Sequence, residues 1–290
     1  MHATYCSPTI WILILTKIHL CMDQNNSMPF NRYAFLTTHN SFAIKREEAG
    51  TEAIHITFTN QEDSITQQLN GPALDTLKEI EAFMSSNPSE IVTLILEDHV
   101  ETPNALTRVL KEAGLMTYWF PLSSMPKKGQ DWPLVKDMVA KNQRLIVFTS
   151  MEHKQQTEGI AYQWNFMVEN QYGNHGMEPG RCPNRNESAP MNDHSKSLIL
   201  VNHFRTIPLR LMACKDNSEE LIEMLHTCHA AADNRWANFV AVDYYKRSDG
   251  GGVFKAIDTL NGDLLCGCAD VHACKVQQIL DLRLLCIHLL

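Results

Sequence analysis

Five short apolar runs, each stopping at polar residues, constrain this chain more than any other feature. They occupy residues 34–38, 91–97, 144–150, 198–204 and 238–244. Runs of this length and β-branched content read as buried strands. Between them, residues Ala73–Ser86, 105–113, 132–141 and 219–232 repeat apolar side chains at helical spacing. The first of these stops before Asn87-Pro88 and the second at Gly114. Strands alternating with helices predict a parallel sheet covered by helices. The run ends are Thr38-His39-Asn40, Glu97-Asp98-His99, Thr149-Ser150, Asn202-His203 and Asp243-Tyr244. Polar groups gathered at the carboxyl ends of parallel strands are what a (β/α) barrel uses as its active face.

The alternation breaks once. Residues 60–69 read as a helix with Asn60 as cap and an acidic first turn. Asn70-Gly71-Pro72 then turns the chain directly into the helix that begins at Ala73. A parallel sheet needs a strand between two such helices, so a strand is absent here or the architecture changes locally.

Composition narrows the partners and the compartment. The 290 residues carry 44% apolar and 20% charged side chains, an ordinary globular balance. The formal charge of −8, with no Lys/Arg run, argues against nucleic acid. A local basic patch would still attract an anionic lipid headgroup and allow peripheral membrane contact. Nine cysteines, six of them at 182, 214, 228, 266, 268 and 274 beside turn-forming residues, favour disulfides made in an oxidising compartment. Free thiols, or a zinc site at Cys266, Cys268 and Cys274, are the alternatives. Asn25-Asn26-Ser27 and Asn186-Glu187-Ser188 are glycosylation sequons that fit secretion. Residues 10–18 suit a signal-peptide core and a buried strand equally, being apolar, interrupted by Lys17 and without a basic lead-in. Residues 279–290 fit a terminal amphipathic helix better than a lipid-anchor signal.

Several motifs carry a resemblance. Phe30-Asn31-Arg32-Tyr33 leads into Thr37-Thr38-His39-Asn40-Ser41-Phe42, and Asn87-Pro88-Ser89-Glu90 leads into residues 91–98. Thr57-Phe58-Thr59-Asn60-Gln61-Glu62-Asp63-Ser64, Gly180-Arg181-Cys182-Pro183-Asn184-Arg185, Val201-Asn202-His203-Phe204 and residues 239–252 follow the same pattern. Together they resemble the X domain of plant phosphoinositide phospholipase C-like proteins, over residues 29–275. Residues 1–28 then form an N-terminal segment and 276–290 a tail.

The resemblance implies an α/β fold, a distorted TIM-like barrel, and a phosphoric diester hydrolase of lipid metabolism at the cell surface or outside the cell. It makes His39 a general base acting on a substrate hydroxyl, with Asp243 holding its tautomer. It makes Asn40 and Glu97 calcium ligands, both offering the hard oxygens Ca²⁺ prefers. Lys246 and Arg247, in a loop at the mouth, would contact a phosphate or form a solvated turn. Glu97-Asp98 also has a plainer reading, as a helix cap or as a partner for Arg144. The tryptophans at 119, 132, 164 and 236 read as core or rim packing.

In relatives, two strands and their loop fall between the helix ending near residue 69 and the one starting at Ala73, and that loop carries a second catalytic histidine. Their absence makes the expected barrel incomplete and the expected activity impaired. His203 is a candidate replacement, ranked below a structural role. A non-catalytic remnant that binds a phosphorylated headgroup or a partner is the alternative function. A glycerophosphodiester-type enzyme would need a denser acidic cluster than His39, Asn40 and Glu97 supply.

Overall fold

Strands and helices alternate as expected in the computed structural model, which describes residues 10–13, 27–39 and 73–274. In chain order these are β1 (Ile10–Leu13), β2 (Phe35–Thr38), α1 (Ala73–Ser86), β3 (Val92–Asp98), α2 (Ala105–Glu112), α3 (Val135–Ala140) and β4 (Leu145–Thr149). They continue with α4 (His153–Thr157), β5 (Ala161–Tyr162), β6 (Met167–Glu169), β7 (Leu198–His203), α5 (Arg210–Asp216), α6 (Glu219–Ala231), β8 (Phe239–Val242) and α7 (Gly252–Cys266). The expected helix at 60–69, the turn at 70–72, Asn40 and the 276–290 tail lie outside the described residues.

The strands form two four-stranded sheets, ordered β1-β3-β4-β5 and β2-β8-β7-β6. Every ladder is parallel except that of β1, which runs antiparallel along the edge of β3. No ladder among the described residues joins the sheets into a closed barrel. Their side chains nevertheless alternate as strands buried on both faces should. Phe35, Ile95, Ile146, Phe148, Leu200 and Ala241 enter one core shared by both sheets. Leu94, Leu96 and Val147 face the other way, against Leu77, Ile80 and Met84 of α1 and Leu106 and Leu110 of α2. Ile199, Val201, Val240 and Val242 pack similarly against α6 and α7.

Aromatic rings fill the end of the shared core where the strands begin. Phe30 stacks on Phe35 with centroids 4.9 Å apart and lies 5.4 Å from Trp132. The helix expected over 132–141 is accordingly reduced to Val135–Ala140. Trp132 turns inward to donate its indole N–H to Ser197, and the Pro133 carbonyl accepts the Phe30 amide.

Arg144, expected as a partner for Glu97 or Asp98, does something else. It is buried at the start of β4 and donates to the carbonyls of Met84, Asn87 and Glu90. Met84 belongs to the last turn of α1, whose carbonyls lack helical partners, and Asn87 and Glu90 lie in the turn that leads from it to β3. Burial pulls the Arg144 guanidinium below the ordinary arginine range.

The cysteines form two disulfides, Cys182–Cys228 and Cys266–Cys274, with Cys214 and Cys268 as thiols among the described residues. A zinc centre at Cys266, Cys268 and Cys274 is thereby replaced by a disulfide and a neighbouring thiol. After α7 the chain folds back so tightly that a Cβ on Gly262 would collide with the Cys268 carbonyl oxygen. No helix among the described residues is long and apolar enough to cross a membrane.

Candidate active site

The parallel register between β2 and β8 pairs Thr38 with Val242, so His39 and Asp243 come next on adjacent strands. The His39 amide extends the ladder to the Val242 carbonyl. Its Nδ1 lies 2.9 Å from Asp243 Oδ1, with both side chains mostly buried. A carboxylate only accepts, so Nδ1 is the donor in this contact, which in the neutral ring leaves Nε2 as the acceptor. The imidazole lies flat on Phe204, 3.5 Å between centroids and 5° between planes. Rotation of the ring is therefore blocked on one face and tethered at one nitrogen.

Asp243 is held in turn. The next residue, Tyr244, is buried with φ 46°, a left-handed conformation that strains a bulky side chain. Asn217, buried at the end of α5, donates to the carbonyls of both Asp243 and Tyr244. Strain at this junction is thus fixed by a specific hydrogen-bonding partner rather than by the strand alone.

The end of β3 divides its two carboxylates between different tasks. Asp98 is buried and receives Lys154 Nζ at 2.8 and 2.7 Å, Thr149 Oγ1 at 2.7 Å and the Val100 amide at 2.9 Å. Glu97 beside it is exposed. Neither caps a helix, and neither pairs with Arg144.

A second polar centre, absent from the sequence reading, sits at the end of β6. Glu169 is fully buried and accepts from Gln163, Trp164, Asn202 and Arg185 at 2.9–3.3 Å. Burial pushes its carboxyl up, against the pull of Arg185 and the other donors. Arg185 lies 5.2 Å from the Trp164 ring and 4.9 Å from that of Tyr172. Burial opposes its charge, yet Glu169 and Glu187 hold it above the ordinary arginine range, and Glu97 adds to that effect. Glu169 obeys the polar-ended-strand rule, but its strand is three residues long and too short to read from periodicity.

His203, weighed as a replacement acid, is fully buried. Its Nε2 donates to the Asp216 carbonyl at 2.7 Å, and Nδ1 has no hydrogen-bond partner among the described residues. Burial pushes it below the ordinary histidine range. It lines a pocket together with Asp243, Phe204, Leu209 and Asn217, but a neutral, enclosed imidazole is a poor proton donor. Lys246 is exposed in the loop after β8, 5.8 Å from the Tyr245 ring, and Arg247 follows it half-buried.

Of the two expected calcium ligands, Glu97 is exposed at the end of β3 and Asn40 lies outside the described residues. Asp98 beside Glu97 is committed to Lys154. The cluster of potential metal ligands found among the described residues is the cysteine group, far along the chain from His39.

Comparison with known proteins agrees with the motifs. The family model described as PI-PLC X 1 matches residues 34–261. The PI-PLC X domain-containing protein At5g67130 of Arabidopsis thaliana is 47% identical over 283 residues, which take up 86% of this chain and 66% of that protein. This chain therefore spans just under two thirds of that relative. No solved structure matches.

Proposed function

Because the chain belongs to the PI-PLC X domain family, we propose that it is a phosphoric diester hydrolase of the phospholipase C-like type, acting on an inositol phospholipid or a related phosphodiester. The observation that carries this reading is the His39–Asp243 pair, tautomer-fixed and stacked on Phe204 where β2 and β8 end together. In this reading the two sheets are the staves of an open TIM-like barrel. The shared core between them and the helices outside both support it. The disulfides fit a protein that matures in the secretory pathway.

His39 Nε2 takes the proton from a substrate hydroxyl as its oxygen attacks phosphorus. Asp243 stabilises the imidazolium that results, and the P–O bond to the lipid alkoxide breaks. His203, buried and committed, is not placed to protonate that alkoxide. In this reading solvent does so, and losing a positioned acid costs about 10²–10⁴-fold in rate. The reading is thus a slow hydrolase. No step is routed through calcium; Asn40 and Glu97 would hold it, and it would offset charge on the phosphoryl oxygens.

The alternative, a headgroup-binding remnant, is separated from the first by one assay. Soluble inositol phosphate released from phosphatidylinositol is measured for the full chain, with and without Ca²⁺. Controls are His39→Ala and a version with the two family strands and their loop restored. Slow release abolished by His39→Ala supports the hydrolase. Release only from the restored version assigns this chain the binding role.

A further inference from the structure

The loop between β6 and β7 carries Asn186-Glu187-Ser188, a tripeptide that can accept an N-linked oligosaccharide and that the hydrolase reading does not use. A tight turn sorts its side chains. The Ser188 amide donates to the Arg185 carbonyl at 3.0 Å, which leaves Asn186 and Glu187 at the tip. Arg185 folds inward, onto Glu169 and against the rings of Trp164 and Tyr172. Asn186 is exposed, so a sugar attached there extends into solvent and displaces no packed side chain.

Ser188 goes the other way and is only 6% exposed. Its hydroxyl accepts the Glu169 amide at 2.8 Å and donates to the Ala189 carbonyl at 2.8 Å. The backbone beside it is also engaged. The Arg185 amide donates to the Glu169 carbonyl at 2.9 Å, and Asn184 Nδ2 donates to the Ser188 carbonyl at 3.1 Å. Cys182–Cys228 then ties the start of the segment to α6. A transferase recognises the tripeptide through the hydroxyl two residues after the asparagine. In the folded chain the asparagine is within reach but that hydroxyl is not. Reaching it means pulling residues 185–188 off the end of β6.

We propose that Asn186 carries an N-linked oligosaccharide, attached before residues 185–188 close on β6. Asn186 Nδ2 bonds to the anomeric carbon of a lipid-linked oligosaccharyl pyrophosphate. The bond from that carbon to the pyrophosphate oxygen breaks, the lipid pyrophosphate leaves with the electron pair, and the amide proton passes to solvent. Folding of the loop and formation of Cys182–Cys228 compete with this transfer. The proposal rests on the reading that the chain matures in the secretory pathway, and not on hydrolysis.

The test uses the full chain made behind a cleavable export leader in a eukaryotic secreting host. Occupancy is read by mass spectrometry, as deamidation at Asn186 that depends on peptide N-glycosidase. Wild type should carry the glycan, and Asn186→Gln should lose it with an unchanged unfolding midpoint. Cys182→Ser/Cys228→Ser, which holds the loop open for longer, should raise occupancy. In a second arm, unglycosylated protein from a bacterial periplasm is offered to solubilised microsomes and the lipid-linked donor. The reduced, unfolded chain should be modified and the folded one should not. An unmodified Asn186 in both wild type and the cysteine variant overturns the proposal. So does folded protein that is modified as fast as the unfolded chain. The leader supplies export, so a missing glycan counts against Asn186 and not against the secretory reading, which the location of the native protein tests separately.

Discussion

Replacing Lys154 by Met should destabilise the protein by about 3–5 kcal/mol, the usual cost of stranding one member of a buried ion pair. The side chains of Lys154 and Asp98 are 2% and 1% exposed and meet at 2.7 Å. Without Lys154 the Asp98 carboxylate keeps Thr149 Oγ1 and the Val100 amide. Neither partner carries charge, and water cannot enter without opening the β3–β4 end. The two remaining donors place the expected loss near the lower bound. Urea unfolding of wild type, Lys154→Met, Asp98→Asn and the double variant separates burial of a charge from packing. The double variant should be more stable than Lys154→Met alone, because no charge is left stranded. A single variant within about 1 kcal/mol of wild type, or a double variant worse than the single, would refute the reasoning. Glu97 leaves the backbone one residue before Asp98, so the same variants should also disturb the β3 side of the site.

Other outcomes follow from particular groups. Breaking Cys182–Cys228, which closes a separation of 46 residues, should cost about 4 kcal/mol by loop entropy, against about 2.5 for Cys266–Cys274 with a separation of 8; paired Cys→Ser variants in urea give the ratio. Burial keeps His203 below its ordinary 6.5, so the unfolded chain takes the proton first as pH falls. Stability should therefore decline below pH 6.5, by at most about 1.4 kcal/mol per unit, and His203→Asn should remove that slope. Glu169 has the opposite sign. Its carboxyl is held above the ordinary 4.5, so its contribution is present in acid and lost as pH rises above that value. Stability curves of Glu169→Gln should be flatter with pH there.

How much of this was legible in the sequence varied with the length of the signal. Helix α1 begins and ends where periodicity and Asn87-Pro88 place it, and the five long strands lie within about two residues of the expected runs. Strands β5 and β6, at two and three residues, are too short to show any period. Helix α7 was not among the expected helices, and the glycines it carries weaken a helical pattern. Gly251 and Gly252 bring the chain into the helix at positive φ, and Gly262 sits inside it because the Cys268 backbone passes so close. His39 and Asp243 were both named from motif positions, yet their pairing follows from the β2–β8 register, which joins segments 204 residues apart. Glu169 and its four donors come from β6, β7 and the loops around them. A sequence pattern has no way to show that such distant groups converge on one carboxylate.

The short strand β1 sets two fates of the N-terminus against each other. Ile10–Leu13 pairs with Ile95–Asp98 and covers the β3 edge. The same stretch has the apolar character of an export leader. A peptidase that removed it would leave backbone N–H and C=O groups of β3 open to any passing strand, the usual route to edge-to-edge association. Cleavage and completion of the sheet are therefore mutually exclusive for each molecule. The yield of monomer from a secreting host would depend on which of the two happens first.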